Sequence, residues 1–226
     1  MELPAGAQAR LEELLELLGD PAAPISAASA RDARQVHIAD SLAGLELQEL
    51  RGAGRIADVG SGAGLPGLVL AAALPEARVD LIESVSRKCD FLRAAVHRAE
   101  IGNAEVVCGR AESWSAAGAA GREAYEAVTA RAVGPLATLA ELASPLLRDG
   151  GHLVAWKGRR DVAEEAQLER AGPRLAMELL AVTPVVPYSG SRDRHIHLLR
   201  KNGPTPNELP RRPGMAAKRP FGSEPK

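Results

Sequence analysis

Arg55-Ile-Ala-Asp-Val-Gly-Ser-Gly-Ala-Gly-Leu-Pro-Gly67 is the stretch that decides the fold of this chain. An apolar strand pattern that contains Asp58 runs directly into a glycine cluster, and an apolar helical pattern follows over residues 68–74. A strand, a tight glycine turn and a helix N-terminus together form a common binding site for nucleotide-like cofactors. The stretch therefore predicts a cofactor site at the carboxyl end of the first strand of an α/β sheet.

Two overlapping glycine patterns leave the type of cofactor open. Residues 62–67 fit the dinucleotide pattern G-x-G-x-x-G, which predicts NAD(P). Residues 60–64 instead form G-x-G-x-G, and Asp58 precedes them, an arrangement that favours S-adenosylmethionine. Pro66 suits the first position of a helix, where no N–H is needed, and so places the turn at residues 60–64. S-adenosylmethionine is the favoured interpretation, with NAD(P) and a purely structural turn as alternatives.

Glu83 and the segment after the third predicted strand extend the predicted cofactor site. Glu83 ends the second strand pattern, 19 residues after Gly64, close to the spacing of about 20 residues at which an acidic residue binds ribose hydroxyls. Alternatively, Glu83 is an acid favoured at a helix N-terminus by the helix dipole. In this kind of fold, the segment at Ala111 and Glu112 contacts an adenine through the backbone of both residues or through the Glu112 carboxylate. The alternative interpretation is that this segment is an ordinary surface loop.

Two cations end neighbouring predicted strands. Arg131 ends the fourth strand pattern and Lys157 the fifth, and ligands of open α/β sheets bind at such carboxyl ends. Because a cation beside an apolar strand needs a partner, the pair indicates an anionic substrate above the methyl group of the cofactor. Each residue alone is also typical of a solvated strand end.

The composition is that of an ordinary soluble globular protein. The chain has 226 residues, of which 46% are hydrophobic and 25% charged. It contains no apolar run near the roughly 20 residues of a membrane span, and its N-terminus lacks the features of a signal peptide. Cys89 and Cys108 are predicted to be a reduced pair in the cytoplasm, and no Cys/His cluster has the spacing of a metal site.

The charge of the chain is unevenly distributed. From Lys201 onward, six basic and two acidic residues give a net charge of +4, whereas the whole chain carries −1, so the remainder carries −5. A basic tail on an acidic body suits a polyanionic partner, and a disordered solubilising tail is the alternative.

Strand and helix patterns alternate over residues 51–201 at the spacing of a doubly wound sheet. They predict a Rossmann-like, seven-stranded, mostly parallel sheet with an antiparallel strand at one edge, the α/β fold of class I S-adenosylmethionine-dependent methyltransferases. A short helical cap is predicted over residues 1–50. Residues 202–226 hold six prolines and three glycines and are predicted to be an irregular, flexible tail.

The chain resembles the RsmG/GidB-type methyltransferases, which act on guanine N7 of small-subunit rRNA. The resemblance covers roughly residues 30 to 220, and its specificity comes from the number and order of matching segments. These segments are His37–Ser41, Asp58–Gly67, Glu83–Leu92, Gly109–Glu112, Ala130–Val133, Ala155–Gly158, Arg194–His195 and Pro204–Gly214.

The resemblance implies a monomeric cytoplasmic enzyme that methylates one guanosine in the decoding-region loop of 16S rRNA, within the small subunit or an assembly intermediate. S-adenosylmethionine is the implied methyl donor, S-adenosylhomocysteine the product, and neither a metal nor a membrane is implied. Motif and family pattern together predict that the cofactor is bound by Asp58, Gly60, Ser61, Gly62, Gly64, Leu65, Glu83, Ala111, Glu112 and Arg131. The residues predicted to position the RNA are Arg87, Lys88, Arg110, Arg131 and Arg194. His37 and Asp40 match the helix that covers the pocket in this family.

The implied chemistry fits the absence of an obvious acid–base pair in the chain. Guanine N7 carries a lone pair and no proton, so methyl transfer to it needs no general base, and catalysis is mostly positioning. An NAD(P)-dependent oxidoreductase, a methyltransferase of another substrate and a non-catalytic binding module are the alternatives. Titration with NAD(P) and with S-adenosylmethionine tests the oxidoreductase alternative. Methyl transfer to ribosomal subunits tests the other two alternatives.

Overall fold

The computed structural model describes residues 3–25 and 34–223. Its strands are β1 (Arg55–Val59), β2 (Arg78–Glu83), β3 (Ala104–Cys108), β4 (Tyr125–Arg131), β5 (Leu147–Lys157), β6 (Met177–Pro184) and β7 (His195–Lys201). Its α-helices are α1 (Ala7–Gly19), α2 (Asp40–Leu42), α3 (Gln48–Arg51), α4 (Gly67–Ala73), α5 (Ser86–Arg98), α6 (Ala111–Trp114), α7 (Leu136–Ala143), α8 (Val162–Leu175) and α9 (Met215–Lys218). A π-helix at Arg34–Ala39 and a 3-10 helix at Ala43–Glu46 flank α2. No helix within these two ranges is long and apolar enough to cross a membrane.

The seven strands form one sheet in the order β3-β2-β1-β4-β5-β7-β6. The strands from β1 to β5 pair in parallel, and β7 runs antiparallel to both of its neighbours, β5 and β6. This arrangement confirms the predicted fold class. The strand order reverses between β1 and β4, and ligand sites of such sheets lie outside the carboxyl ends of the strands at this point.

An apolar core lies on each face of the sheet. One core includes Leu14 of α1, Leu45 of the 3-10 helix and Leu68 of α4. The other core includes Leu139 of α7 and Leu168 of α8. Because both faces are covered, the central strands are almost wholly buried, and this agrees with their short runs of continuous apolar residues.

Cys89 and Cys108 form a disulfide, which corrects the prediction of a reduced pair. The parallel register of β2 and β3 places Cys108 beside Glu83, and the first turn of α5 returns Cys89 to the same end of the sheet. The two Cα atoms are 5.8 Å apart, within the range that a disulfide spans. The spacing of the two residues in the sequence could not reveal this approach.

Residues 202–223 pack against the domain, which corrects the prediction of a flexible tail. Leu209, Ala216 and Phe221 are buried. Two guanidinium groups, those of Arg174 and Arg211, lie 4.1 and 4.0 Å from the centroid of the Phe221 ring. The path is irregular outside α9, as the prolines and glycines predict, but its apolar side chains fix it on α7 and α8. Residues 224–226 lie outside the described residues.

Two basic residues of this C-terminal segment are held in internal ion pairs. Lys201 is fully buried, and its Nζ donates to Glu123 Oε1 at 3.0 Å. Arg211 pairs with the buried carboxylate of Glu141. The exposed cations of the described tail are therefore Arg212, Lys218 and Arg219.

Candidate active site

A cavity of about 190 Å³, here called the glycine-loop cavity, lies at the carboxyl ends of β1 to β4. Its lining includes Gly60 after β1, Ser84 after β2 and residues 109–112 after β3. Val133 after β4 and side chains of α7 form another wall, and residues 214–217 of the tail contribute the last one. The cavity thus lies at the point where the strand order reverses, as the sequence predicts.

Gly60 is one of the loop positions where a side chain cannot be accommodated. Its φ is +69°, in the left-handed region, and an added Cβ would lie 2.7 Å from Cγ2 of Val133. The backbone of the loop therefore approaches the chain after β4 closely, and only glycine combines this φ with this distance. This close approach is the physical reason for the first glycine of the motif.

Asp58, which the sequence analysis predicts to bind the cofactor, lies beneath the loop. The side chain is buried, and it accepts hydrogen bonds from the Gly67 N–H at 3.2 Å and the Thr129 hydroxyl at 2.8 Å. It therefore ties the N-terminus of α4 to β4. Ser61 is also buried, and its hydroxyl donates to the Asp58 carbonyl oxygen at 2.8 Å.

Burial makes the Asp58 carboxyl group titrate above its ordinary range. Loss of hydration raises its pKa to about 6, although the hydrogen bonds from Thr129, Ser61 and Gly67 oppose this shift. The folded protein therefore holds the Asp58 proton more tightly than the unfolded chain does, and this contribution to stability is lost as the pH rises from about 4 to about 6.

Asp58→Asn removes this pH dependence while keeping the shape of the side chain. We expect the free energy of unfolding of the variant, relative to that of the unsubstituted protein, to rise between pH 4 and pH 6 by on the order of 3 kcal/mol. Denaturant unfolding of both proteins across this range measures the difference. Parallel pH profiles would contradict the assignment of a raised pKa to Asp58.

Glu83 holds two loops together through its buried carboxylate. Its Oε2 accepts from the Gly62 N–H at 3.0 Å, and its Oε1 accepts from the N–H groups of Ser84 and Val85 at 2.8 and 2.9 Å. Each carboxylate oxygen has two lone pairs, so a ribose hydroxyl could share them. Both alternatives given by the sequence, a ribose ligand and an acid at a helix N-terminus, remain compatible with this position.

Glu112 connects the segment after β3 to the tail. Its Oε1 accepts a hydrogen bond from the Gly214 N–H at 2.8 Å, and Ala111 beside it is buried. Residues Gly214, Ala216 and Ala217 line the cavity, although sequence reasoning assigned the tail only to RNA. The run of small residues in Gly-Met-Ala-Ala was the available indication that this segment lies close to other atoms.

A second cavity of about 180 Å³, the strand-end cavity, is lined by Asp40, Arg131, Trp156, Lys157 and Arg194. Arg131 Nη1 donates to Asp40 Oδ2 at 3.0 Å, and Nη2 lies 3.2 Å from His37 Nδ1. Only 16% of the Arg131 side chain and 8% of the Asp40 side chain are exposed, so the ion pair is largely shielded from water. The site places two predicted RNA-positioning residues, Arg131 and Arg194, together.

Burial keeps His37 neutral, and its contact with Arg131 fixes its tautomer. Loss of hydration, reinforced by the positive charge of Arg131, lowers the pKa of His37 to about 4. Arginine can only donate, so His37 Nδ1 accepts from it and the ring proton lies on Nε2. Within the described residues, this buried Nε2 has no hydrogen-bond partner.

Ala132 separates the two cavities. Its φ is +58°, a left-handed conformation that is rare for a residue with a side chain and is found most often at functional sites. The chain turns sharply at this residue, so Arg131 lines the strand-end cavity and Val133 lines the glycine-loop cavity. The two cavities therefore share the segment that follows β4.

Lys157 does not act as the free cation that the sequence suggested. Its ammonium group pairs with Glu164 at 2.7 Å and donates to the Gly134 carbonyl oxygen at 3.1 Å. Glu164 in turn accepts from the Leu136 N–H at 3.1 Å. Lys157 thus fixes the start of α7 against α8, and the net positive charge of the strand-end cavity comes from the two arginines.

The remaining predicted residues occupy different positions around the two cavities. Gly60, Arg110, Ala111 and Glu112 line the glycine-loop cavity. The other predicted cofactor residues form or support the glycine loop and do not line the cavity, namely Asp58 of β1, Ser61, Gly62, Gly64, Leu65 and Glu83 of β2. Arg87 and Lys88 lie at the start of α5, exposed and half-buried, outside both cavities.

Solved structures define the class to which this fold belongs. A predicted O-methyltransferase from Agrobacterium tumefaciens matches with a TM-score of 0.56 and 27% identity, over 73% of this chain and 80% of that one. The fibrillarin of Aeropyrum pernix, solved with S-adenosyl-L-methionine, shares the fold alone, with a TM-score of 0.54 and 18% identity over 72% of each chain. The fold is that of class I methyltransferases.

Sequence comparison identifies the family. The profile of the GidB family, rRNA small subunit methyltransferase G, matches residues 9–196. A ribosomal RNA small subunit methyltransferase G from Rubrobacter xylanophilus is 46% identical over 82% of this chain and 72% of its own length. A protein of the same name from Thermotoga neapolitana is 38% identical over 92% of this chain and 88% of its own length. The chain belongs to this family of S-adenosylmethionine-dependent enzymes, which confirms the resemblance predicted from the sequence.

Proposed function

We propose that this protein transfers a methyl group from S-adenosylmethionine to N7 of a guanosine in the decoding-region loop of 16S rRNA. The observation that carries the proposal is the turn at Ala132, which places an arginine-lined cavity beside the glycine-loop cavity on one short segment. A donor in one cavity and an acceptor base in the other would meet at residues 131–133. We further propose that the enzyme acts as a monomer in the cytoplasm.

The residues of the glycine-loop cavity fit an adenosine-containing donor. Gly60 lets the loop backbone form part of the wall without a side chain, and the rest of the wall combines apolar Val59, Ile82 and Val133 with residues 109–112. Polar groups that bind the ends of the cofactor would come from Glu83 and from the backbone of the loop. When bound, S-adenosylmethionine supplies an electrophilic methyl group on a sulfonium.

The chain's own contribution to the reaction is positioning. Guanine N7 has a free lone pair, so no residue has to remove a proton. Well-oriented reactants gain about 7–11 kcal/mol relative to a bimolecular reaction. An arginine that donates to guanine O6 leaves N7 open, whereas a bidentate contact to O6 and N7 would block it.

RNA binding is proposed to involve exposed cations around the glycine-loop cavity and in the tail, as well as Arg131 and Arg194 in the strand-end cavity. Arg87 and Arg110 are exposed next to the glycine-loop cavity, with Lys88 beside them. The tail adds Arg212, Lys218 and Arg219. Lysine and arginine contacts to phosphate release counterions and make binding depend on salt.

Replacing Arg212, Lys218 and Arg219 together with glutamine tests the contribution of the tail. We expect the slope of log K against log salt for binding to small subunits to become shallower by about 2, since each phosphate contact contributes about 0.7. The matched control replaces Arg93, Arg98 and Arg148, which are exposed but paired with acids on the surface. An equal change in both variants would exclude a specific role of the tail in RNA binding.

Methyl transfer to ribosomal subunits that lack the modification tests the proposed function. Purified protein and S-adenosylmethionine with a tritiated methyl group are incubated with small subunits, and the modified nucleotide is mapped. The proposal expects label on one guanosine of the decoding-region loop, and no label on small-subunit rRNA would contradict it. Titration with NAD(P) in parallel tests the oxidoreductase alternative.

A further inference from the structure

We propose that the carboxylate of Asp40 recognises the Watson–Crick edge of the target guanine in the strand-end cavity. This inference rests on the proposed function and names the residue that selects guanine over other bases. Asp40 belongs to α2, and it lines the cavity together with Arg131 and Arg194. Nothing in the chemistry of methyl transfer itself requires a carboxylate at this place.

The two oxygens of Asp40 have different surroundings. Oδ2 accepts from Arg131 at 3.0 Å, which holds the side chain in place. Oδ1 lies 4.0 Å from Arg194 Nε, a distance that is too long for a hydrogen bond. This Nε is buried and has no partner within the described residues. Within the described residues, Oδ1 accepts no hydrogen bond, and both Asp40 and Arg194 line the cavity, so an acceptor and a buried donor lie close together without satisfying each other.

Buried polar groups normally have hydrogen-bond partners, and leaving one unpaired costs about 1–3 kcal/mol. A ligand that offers both an acceptor and donors would satisfy Arg194 Nε and Asp40 Oδ1 together. Phosphate offers acceptors only, and it would be repelled by the carboxylate. The presence of Asp40 between two arginines therefore favours a base edge over a phosphate group.

Guanine matches this arrangement in the orientation that methylation requires. With N7 towards the donor, the next group around the guanine ring is the acceptor O6, which suits an arginine, and the donors N1–H and N2–H₂ follow, which suit a carboxylate. Adenine in the same orientation presents the donor N6–H₂ to the arginine and the acceptor N1 to the carboxylate. Both contacts are then unfavourable, so Asp40 and its arginines discriminate between the two purines.

Inosine tests the proposal because it keeps N7, O6 and N1–H but lacks the N2 amino group. Small subunits are reconstituted with guanosine or inosine at the target position, and kcat/KM for methyl transfer is measured on each. We expect the unsubstituted protein to prefer guanosine by about tenfold or more, as for the loss of one hydrogen bond to a charged group. Equal rates on the two substrates would overturn the proposal.

Asp40→Asn separates recognition from support of Arg131. If Asp40 reads the base, the preference for guanosine over inosine falls to about threefold or less in this variant, since a neutral acceptor gains less from the amino group. If Asp40 only orients Arg131, the variant loses activity equally on both substrates and the preference is unchanged, which would overturn the proposal. Glu178→Gln, an exposed carboxylate on β6, is the matched control and should keep the full preference.

Two further measurements keep these outcomes distinct. Calorimetric titration with S-adenosylmethionine shows whether Asp40→Asn is folded, because Asp40 lies outside the glycine-loop cavity. If the variant does not fold, the preference of the unsubstituted protein for guanosine over inosine still tests the proposal. Failure of the unsubstituted protein to methylate guanosine at all would contradict the proposed function, whereas methylation without discrimination would contradict only the role of Asp40.

Discussion

Arg131→Ala lowers kcat/KM for methyl transfer to small subunits by about 100-fold, the cost of displacing a reacting group by about 1 Å. Arg131 is the only residue of the described structure that donates to the Asp40 carboxylate within 3.5 Å, and its loss leaves a shielded negative charge. The contact with neutral His37 is lost as well. Measurement of tritiated methyl transfer at several subunit concentrations gives kcat and KM separately.

The affinity for S-adenosylmethionine distinguishes the role of Arg131 from a general loss of structure. Arg131 lines the strand-end cavity and not the glycine-loop cavity, so we expect calorimetric Kd values to change little. Arg131→Lys should be intermediate, because lysine keeps the charge but lacks the planar fork that contacts two partners. Arg148→Ala, at the opposite end of β5, is the control. Full turnover by Arg131→Ala would remove this residue from the site.

Gly60→Ala weakens S-adenosylmethionine binding by about tenfold or more because it displaces the wall of the cavity, and the left-handed φ adds a stability cost of about 1–2 kcal/mol. The added Cβ also meets Val133 at 2.7 Å, so the loop or the segment after β4 has to move. Both of these line the glycine-loop cavity. Calorimetric titration with the cofactor measures the loss.

Gly118→Ala is a closely matched control for this substitution. Gly118 has a φ of +78°, and no atom lies within 4 Å of the position that its Cβ would take. We expect this variant to lose stability through the same backbone cost but to bind the cofactor normally. The double variant Gly60→Ala/Val133→Ala should recover part of the affinity for the cofactor. If Gly118→Ala also weakens binding and the double variant recovers none of it, the close approach of Gly60 to Val133 is not the cause of the loss.

The central part of the fold followed from local patterns in the sequence. β1 was predicted over its observed bounds, Arg55–Val59, because a short segment with apolar residues at positions 56, 57 and 59 lies between a glycine and a glycine turn. The helix after the loop was also predicted within one residue of α4 at either end. The fifth strand was predicted to start at His152, after a turn at residues 149–151. β5 instead begins at Leu147, because the segment around Gly150 is a bulge within the strand and not a turn before it.

The site was harder to predict because its second half depends on contacts between distant residues. The glycine motif located the first cavity, but Asp58 has a supporting role that only the structure reveals. The pair of Arg131 and Asp40 joins residues far apart in the chain, and no local pattern reports such a contact. The tail was misjudged because composition describes backbone preference and not the burial of a few apolar side chains such as Phe221.

The wall that residues 214–217 add to the glycine-loop cavity has a consequence for the order in which the protein matures. During translation, β1, the loop at Gly60 and the central strands leave the ribosome well before Gly214 does. The domain can therefore acquire its core while the cavity still lacks one side. Closure waits for a contact of very long sequence separation, the kind that forms late in folding because its loop entropy must first be overcome. A nascent chain with a formed sheet would then remain inactive towards the ribosomes around it until its last segment has docked.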